Sequence, residues 1–210
     1  IGQTITTVFP TSISVDSATI SGNTTVGGTL GVTGATTLSS TLGVTGVSTL
    51  SDNIVFGASS KGVHLGVTSA TASNLIDDYE EGTFTPGLID SADGLGANLT
   101  TQVGQYTKVG NKVHFQMRIN GDARTSTGNQ VYITNLPFTC SPSSSVNRAQ
   151  FEINGINLGL DSGFYSLIGQ LANTDTSITI LMQGTSLDNF RGHDLTPSYE
   201  IYVHGAYFTS

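Results

Sequence analysis

The sequence predicts an all-β protein in which a thin intertwined β shaft precedes a C-terminal β-sandwich or jelly-roll-like head. Three observations point to this class. A short unit repeats near the start of the chain, apolar and polar residues alternate in short runs further on, and no segment has the i, i+3, i+4 spacing of an amphipathic helix. The composition agrees, since 26 of 210 residues are glycine and only 10% are charged.

The shaft is predicted from a 12-residue repeat over residues 18–57. Residues 29–40 (TLGVTGATTLSS) and 41–52 (TLGVTGVSTLSD) are identical at 9 of 12 positions. Most large apolar residues keep the same register, and Gly, Thr, Ser, Ala, Asn and Asp lie between them. Such a fixed short period is typical of fibrous or solenoidal stacks. The predicted shaft core is Ile20, Val26, Leu30, Val32, Leu38, Leu42, Val44, Leu50, Ile54 and Phe56.

The length of the repeat indicates how the shaft buries its apolar residues. Leu-Gly-Val places two apolar side chains on one face of a strand, and Thr-Gly is typical of a turn. A single-chain β-helix needs about 18 residues per coil, and a 12-residue unit falls short of that. We therefore predict that several chains wrap one axis, each contributing a third of a layer. The alternative is a flexible Gly/Thr/Ser linker, which would have no reason to keep Leu and Val in register.

Four segments are predicted: an entry segment at 1–17, the shaft at 18–57, a transition or collar at 58–82 and the head at 83–210. The collar carries four carboxylates, Asp77, Asp78, Glu80 and Glu81. They could serve acid–base chemistry, bind a hard cation, or form a solvated junction with Tyr79 and Phe84 as packing anchors. The junction is favoured, because the spacing lacks the pattern of a Ca²⁺ loop.

The head is predicted to contain seven or eight short strands separated by Gly, Asn, Asp and Ser turns. The strongest strand covers 113–119, where apolar residues alternate with His114, Gln116 and Arg118. In the closing strand Tyr202 and His204 occupy the corresponding second face. We expect these polar faces to be solvated or to line a subunit interface, where His, Arg and Tyr commonly form hydrogen bonds.

Several function classes are disfavoured. The formal net charge of −8 and pI near 4.6 argue against nucleic acid as a partner, and no segment is apolar enough for membrane insertion. Cys140 is the single cysteine, so no internal disulfide is possible. No G-x-S-x-G motif occurs, and adjacency of His193 and Asp194 does not make a catalytic triad. We predict no enzyme activity, no cofactor and no metal.

Two further motifs carry a family resemblance. DDYEEGTFTP (77–86) is followed by GQYTKVGNKVHFQMRI (104–119). Together with the preceding TLGVTG repeats, they resemble the shafts and C-terminal domains of tail-fibre and related appendage proteins of tailed bacteriophages. The resemblance covers about residues 20–120, with a weaker likeness in 198–210. It implies a homotrimeric virion fibre, located outside the cell and joined to other virion proteins at its N-terminal end, with a receptor-binding or capping head.

Receptor binding is predicted for two loops of the head, 154–165 (NGINLGLDSGFY) and 184–197 (GTSLDNFRGHDLTP). Loops on a rigid β scaffold commonly carry recognition, and sugars are bound by aromatic faces with planar polar groups. The predicted binding residues are Tyr165, Asn189, Phe190, Arg191 and His193. The alternative is that Phe190 packs under its loop while Arg191 pairs with Asp188 or Asp194.

The leading functional hypothesis is host attachment through a cell-surface glycan or protein. One alternative is a purely structural head that caps the trimer, or a fibre that decorates a capsid. A second alternative is a polysaccharide depolymerase, for which a head of this size offers little room.

Overall fold

A computed structural model describes residues 16–92, 95, 98–122, 128–141 and 148–209. The chain divides into two compact units, Ile1–Asn53 and Ile54–Ser210, and each is described by itself. Within these residues the regular elements are β-strands and two single-turn 3₁₀ segments, which confirms the all-β prediction. Most of the predicted entry segment, residues 1–15, lies outside the described residues. None of the described residues forms a helix long and apolar enough to cross a membrane.

The shaft residues alternate between extended stretches and bends. Bends occur at residues 27–28, 33–34, 39–40, 45–46, 51–52 and 57–58, so the backbone repeats every six residues. The residue immediately before each bend is apolar: Val26, Val32, Leu38, Val44, Leu50 and Phe56. The 12-residue sequence repeat is therefore two backbone repeats of similar conformation.

No described residue of the shaft pairs with another strand of the same chain, and residues 16–61 are all exposed. The short strands predicted here are thus not formed within one chain. The physical reason is that a strand needs a hydrogen-bonded neighbour, and extended stretches separated by bends do not fold back on one another.

A small hairpin follows the shaft. Strand β1 (Val63–His64) pairs with β2 (Leu75–Ile76), and a 3₁₀ turn at Ala72–Asn74 lies between them. The backbone N–H of Thr71 donates to His64 Nδ1 over 3.3 Å, so His64 helps to close this hairpin.

The described residues of the head form ten strands in one antiparallel sheet. Their bounds are β3 Tyr79–Phe84, β4 Gly87–Asp90, β5 Asn98–Val109, β6 Lys112–Asp122, β7 Val131–Thr134, β8 Arg148–Leu158, β9 Phe164–Ala172, β10 Ile178–Gly184, β11 Leu187–Asn189 and β12 Leu195–Phe208. The spatial order is β3-β5-β6-β12-β8-β9-β10-β7-β4, with β11 paired to β10. The closing strand β12 thus lies near the centre of the sheet, between β6 and β8.

The sheet curls so that its inner face encloses a single apolar core. The predicted alternation in β6 is confirmed, since Val113, Phe115, Met117 and Ile119 are buried and the residues between them are not. Phe115 makes edge-to-face contact with Phe151 at a centroid distance of 5.0 Å. The two separate sheets of the predicted sandwich are not observed among the described strands, because β12 joins both halves into one continuous sheet.

The acidic collar belongs in part to this sheet. Strand β3 begins at Tyr79, upstream of the predicted head boundary, and pairs along β5. Asp78 forms an ion pair with the buried Lys108, and Glu80 accepts a hydrogen bond from the Tyr106 hydroxyl. These carboxylates therefore tie the start of the head to β5 in addition to facing solvent.

Candidate functional site

The structure brings the two predicted loops together. Leu158 pairs with Leu195, and the backbone N–H of Gly159 donates to the Asp194 carbonyl over 2.7 Å. A third link joins the Thr196 hydroxyl to the Asn157 carbonyl. Residues 154–165 and 184–197 therefore form one region of the head, which we call the two-loop surface.

Phe190 does not belong to the exposed part of that surface. Its side chain is 0% exposed, and its backbone N–H donates to the Ile180 carbonyl while its own carbonyl accepts from Val131. A buried ring cannot stack on a ligand, so the prediction that Phe190 contacts a receptor is corrected. Phe190 instead fixes the 184–197 loop to the core.

Arg191 is held by an ion pair. Its Nη2 atom lies 3.0 Å from Asp188 Oδ1, with both side chains partly exposed. The backbone N–H of Asn189 and, next, the Arg191 guanidinium hold the pKa of Asp188 below its usual range. The pairing of Arg191 with Asp188 is the alternative that the sequence allows. It leaves only part of the Arg191 guanidinium available to a ligand.

Tyr165 and Asn189 are exposed, but they lie on different strands. Tyr165 is 71% exposed on β9, and its hydroxyl donates to the Gly184 carbonyl over 3.2 Å. Asn189 ends β11, so β10 lies between the two residues. Leu187 on β11 is also exposed. Strand β9 thus exposes an aromatic ring, and strand β11 exposes an amide and an aliphatic side chain.

His193 is brought next to two carboxylates. Its Nε2 atom lies 3.2 Å from Asp194 Oδ1, and one ligand-type atom from each of Asp161, His193 and Asp194 lies within 4.8 Å of the others. Asp194 is only 4% exposed, and burial raises its pKa against the opposing effect of the Arg191 backbone N–H. The sequence alone does not indicate Asp161 as a site residue, because only the pairing of Leu158 with Leu195 places it next to His193.

A second polar surface lies on the outer face of β5, β6 and β12, the face turned away from the core. The Arg118 guanidinium lies over the Tyr202 ring at 5.6 Å, and its Nη2 atom is 3.3 Å from Glu200 Oε2. Gln116 pairs in register with His204. These strands border a shallow depression of about 390 Å³. The polar second face predicted for these strands is therefore confirmed as exposed.

Comparisons with known proteins include a partial structural likeness. No family model matches the sequence, and no curated protein matches it. A solved structure of the Dettilon tailspike protein (gp208) aligns with a TM-score of 0.49 and 18% sequence identity. The alignment covers 62% of this chain and 24% of the tailspike chain.

The exposed groups of the two-loop surface can form stacking contacts and hydrogen bonds. Exposed aromatic and amide groups suit the apolar face and the hydroxyls of a sugar ring. The Asp161, His193 and Asp194 side chains offer oxygen and nitrogen donors that converge from two loops. The outer face offers amides, imidazoles and an arginine stacked on a tyrosine, which suit a polar interface.

Proposed function

We propose that this chain is a subunit of a homotrimeric bacteriophage fibre whose head attaches the virion to a glycan on the host cell. The observation that carries the proposal is the regular apolar series of the shaft, which remains exposed in a single chain. The attachment role rests on the exposed groups of the two-loop surface and on the resemblance of the shaft and collar motifs to phage appendage proteins.

The shaft residues need a partner to become buried. The ten apolar residues predicted as its core are between 45% and 72% exposed, from Phe56 to Leu42. A contiguous apolar series of this kind marks an interaction surface. A partner must match a repeat of six residues, and a second copy of the same chain does so at every repeat.

Three chains meet this requirement with one six-residue segment from each chain per layer. A backbone that bends every six residues needs about 18 residues to complete a three-sided layer. One segment from each of three chains supplies that layer, with the apolar residue before each bend turned towards the common axis. Exposed extended stretches then gain strand neighbours from the adjacent chains.

The head would present three copies of a weak site. Tyr165, Asn189, Arg191 and His193 are the residues proposed to contact a sugar, with Tyr165 supplying the ring and the others supplying hydrogen bonds. Simultaneous engagement of three sites raises the overall avidity by orders of magnitude without new contacts. A weak single site is therefore compatible with firm attachment.

Binding of the fluorescently labelled full chain to host cells and to a glycan array tests this proposal. Tyr165→Ala and Asn189→Ala should each reduce binding at least several-fold. The matched control is Tyr79→Ala, because Tyr79 is also an exposed tyrosine, 62% exposed on the edge strand β3.

Two outcomes would contradict the attachment role. A folded trimer that binds no host surface would favour the structural alternative, in which the head caps the fibre. Equal loss of binding in the Tyr79 and Tyr165 variants would exclude the two-loop surface as the binding site.

A further inference from the structure

The side chains of Asp161, His193 and Asp194 converge on one point of the two-loop surface. We propose that they bind a divalent transition-metal ion of the zinc class. Imidazole nitrogen together with carboxylate oxygens is a donor set that suits such ions. His193 belongs both to this site and to the proposed sugar-contacting residues, but binding of the ion is measured separately from binding to cells or glycans.

The distances fit a small metal ion. Donors bound to tetrahedral Zn²⁺ at about 2.0–2.1 Å lie roughly 3.3 Å from one another. The His193 Nε2 to Asp194 Oδ1 distance is 3.2 Å. The full set of three donors spans at most 4.8 Å. Asp161 and His193 are both exposed, so a small rotation of either side chain brings the third donor into range.

The backbone holds the donors in place. The Arg191 backbone N–H donates to Asp194 Oδ2 over 2.7 Å, which turns the other oxygen, Oδ1, towards His193. The Phe164 N–H donates to the Asp161 carbonyl over 3.1 Å and closes the turn that carries Asp161. The Gly159 link to Asp194 then joins that turn to the second loop. Donors fixed by surrounding hydrogen bonds are characteristic of metal sites.

The local charge also favours a cation. Asp194 is only 4% exposed, and a carboxylate oxygen of Asp161 lies within 4.8 Å of its own, so the two negative charges repel each other. The Arg191 guanidinium already forms an ion pair with Asp188. A divalent ion between the two carboxylates would remove their repulsion. With three protein donors, one coordination position stays open to water or to an external ligand.

The test uses the metal-free full chain and titrates it with Zn²⁺ by calorimetry and with Co²⁺ by visible absorption. We expect one bound ion per chain and the intense absorption of four-coordinate Co²⁺. His193→Gln and Asp161→Asn should each weaken binding by about tenfold or more, since each removes a donor. His204→Gln is the matched control, because His204 is an exposed histidine on β12.

Three results would overturn the site. The first is the absence of Zn²⁺ and Co²⁺ binding by the folded chain. The second is a Co²⁺ spectrum of six-coordinate type, which would indicate an adventitious surface ion. The third is unchanged affinity in Asp161→Asn, a variant of an exposed loop residue that leaves the core intact. Oligomeric mass and cell binding are measured separately, so failure here is distinct from failure of the attachment proposal.

Discussion

Leu42 lies in the middle of the shaft, two residues before Val44 and therefore on the same face of an extended stretch, and it is 72% exposed in a single chain. Complete burial of a leucine is worth about 1.5–3 kcal/mol, so burying the exposed part of Leu42 contributes roughly 1–2 kcal/mol per chain. Three copies meet in one layer of a trimer, which gives roughly 3–6 kcal/mol for the assembly. Leu42→Ser should therefore weaken trimer formation by roughly 10²–10⁴-fold in the dissociation constant.

Val47 provides the matched control for this prediction. It is 94% exposed and lies outside the apolar register of the shaft. Val47→Ser should change trimer stability by less than about 0.5 kcal/mol, as most surface substitutions do. Sedimentation velocity across a concentration series measures both variants. Equal weakening by both substitutions, or none by either, would refute the assignment of inward and outward positions in the shaft.

Two further predictions concern the head. Gly205→Ala should lower the free energy of unfolding by about 1–3 kcal/mol, because the added Cβ would lie 2.4 Å from a ring carbon of Phe151. Gly128→Ala, where no atom lies within 4 Å, is the control in urea unfolding. Burial raises the pKa of Tyr199 and of Tyr207 to about 12, above the ordinary value of 10. The folded state favours the neutral phenols, and the stability that this preference contributes is complete below pH 10 and is lost as the pH rises towards 12. The urea concentration at the midpoint of unfolding should therefore fall between pH 10 and pH 12. In Tyr207→Phe this fall should be less steep. A flat pH profile, or an unaltered slope in that variant, would contradict this.

Local strand patterns of the head could be predicted from the sequence, because burial of one face imposes a period of two. Residues 113–119 illustrate this, since their alternation matches the buried and exposed sides of β6. The neighbours of each strand could not be predicted in the same way. The position of β12 between β6 and β8 depends on contacts far apart in sequence, which no local pattern encodes.

The candidate site shows the same division. The residue types of both loops predict a polar and aromatic surface, and they allow an ion pair of Arg191 with Asp188, which the structure contains. Burial of Phe190 depends on the pairing of β10 with β11, and the position of Asp161 depends on the pairing of β8 with β12. Both are tertiary contacts, so residue types alone could not decide between a binding residue and a packing residue.

The sequence repeat of the shaft is 12 residues long, which is twice the six-residue repeat of its backbone. The two halves of the 12-residue unit, TLGVTG and ATTLSS, share few residues, yet both end in a bend preceded by an apolar residue. Bends tolerate Gly, Ser, Thr or Asp, so the same backbone conformation recurs with different residue types. The feature that recurs along the shaft is therefore an apolar residue at every sixth position, and the residue types around it vary.

The solution mass of the full chain, measured by light scattering after size exclusion, tests the proposed assembly most directly. One chain has a mass of 21.8 kDa. We expect a single species of three times that mass which persists on dilution, because the proposed trimer buries the apolar series of the shaft that is exposed in a single chain. A stable monomer at all concentrations would contradict the proposed fibre and would favour a flexible linker joined to an isolated β domain.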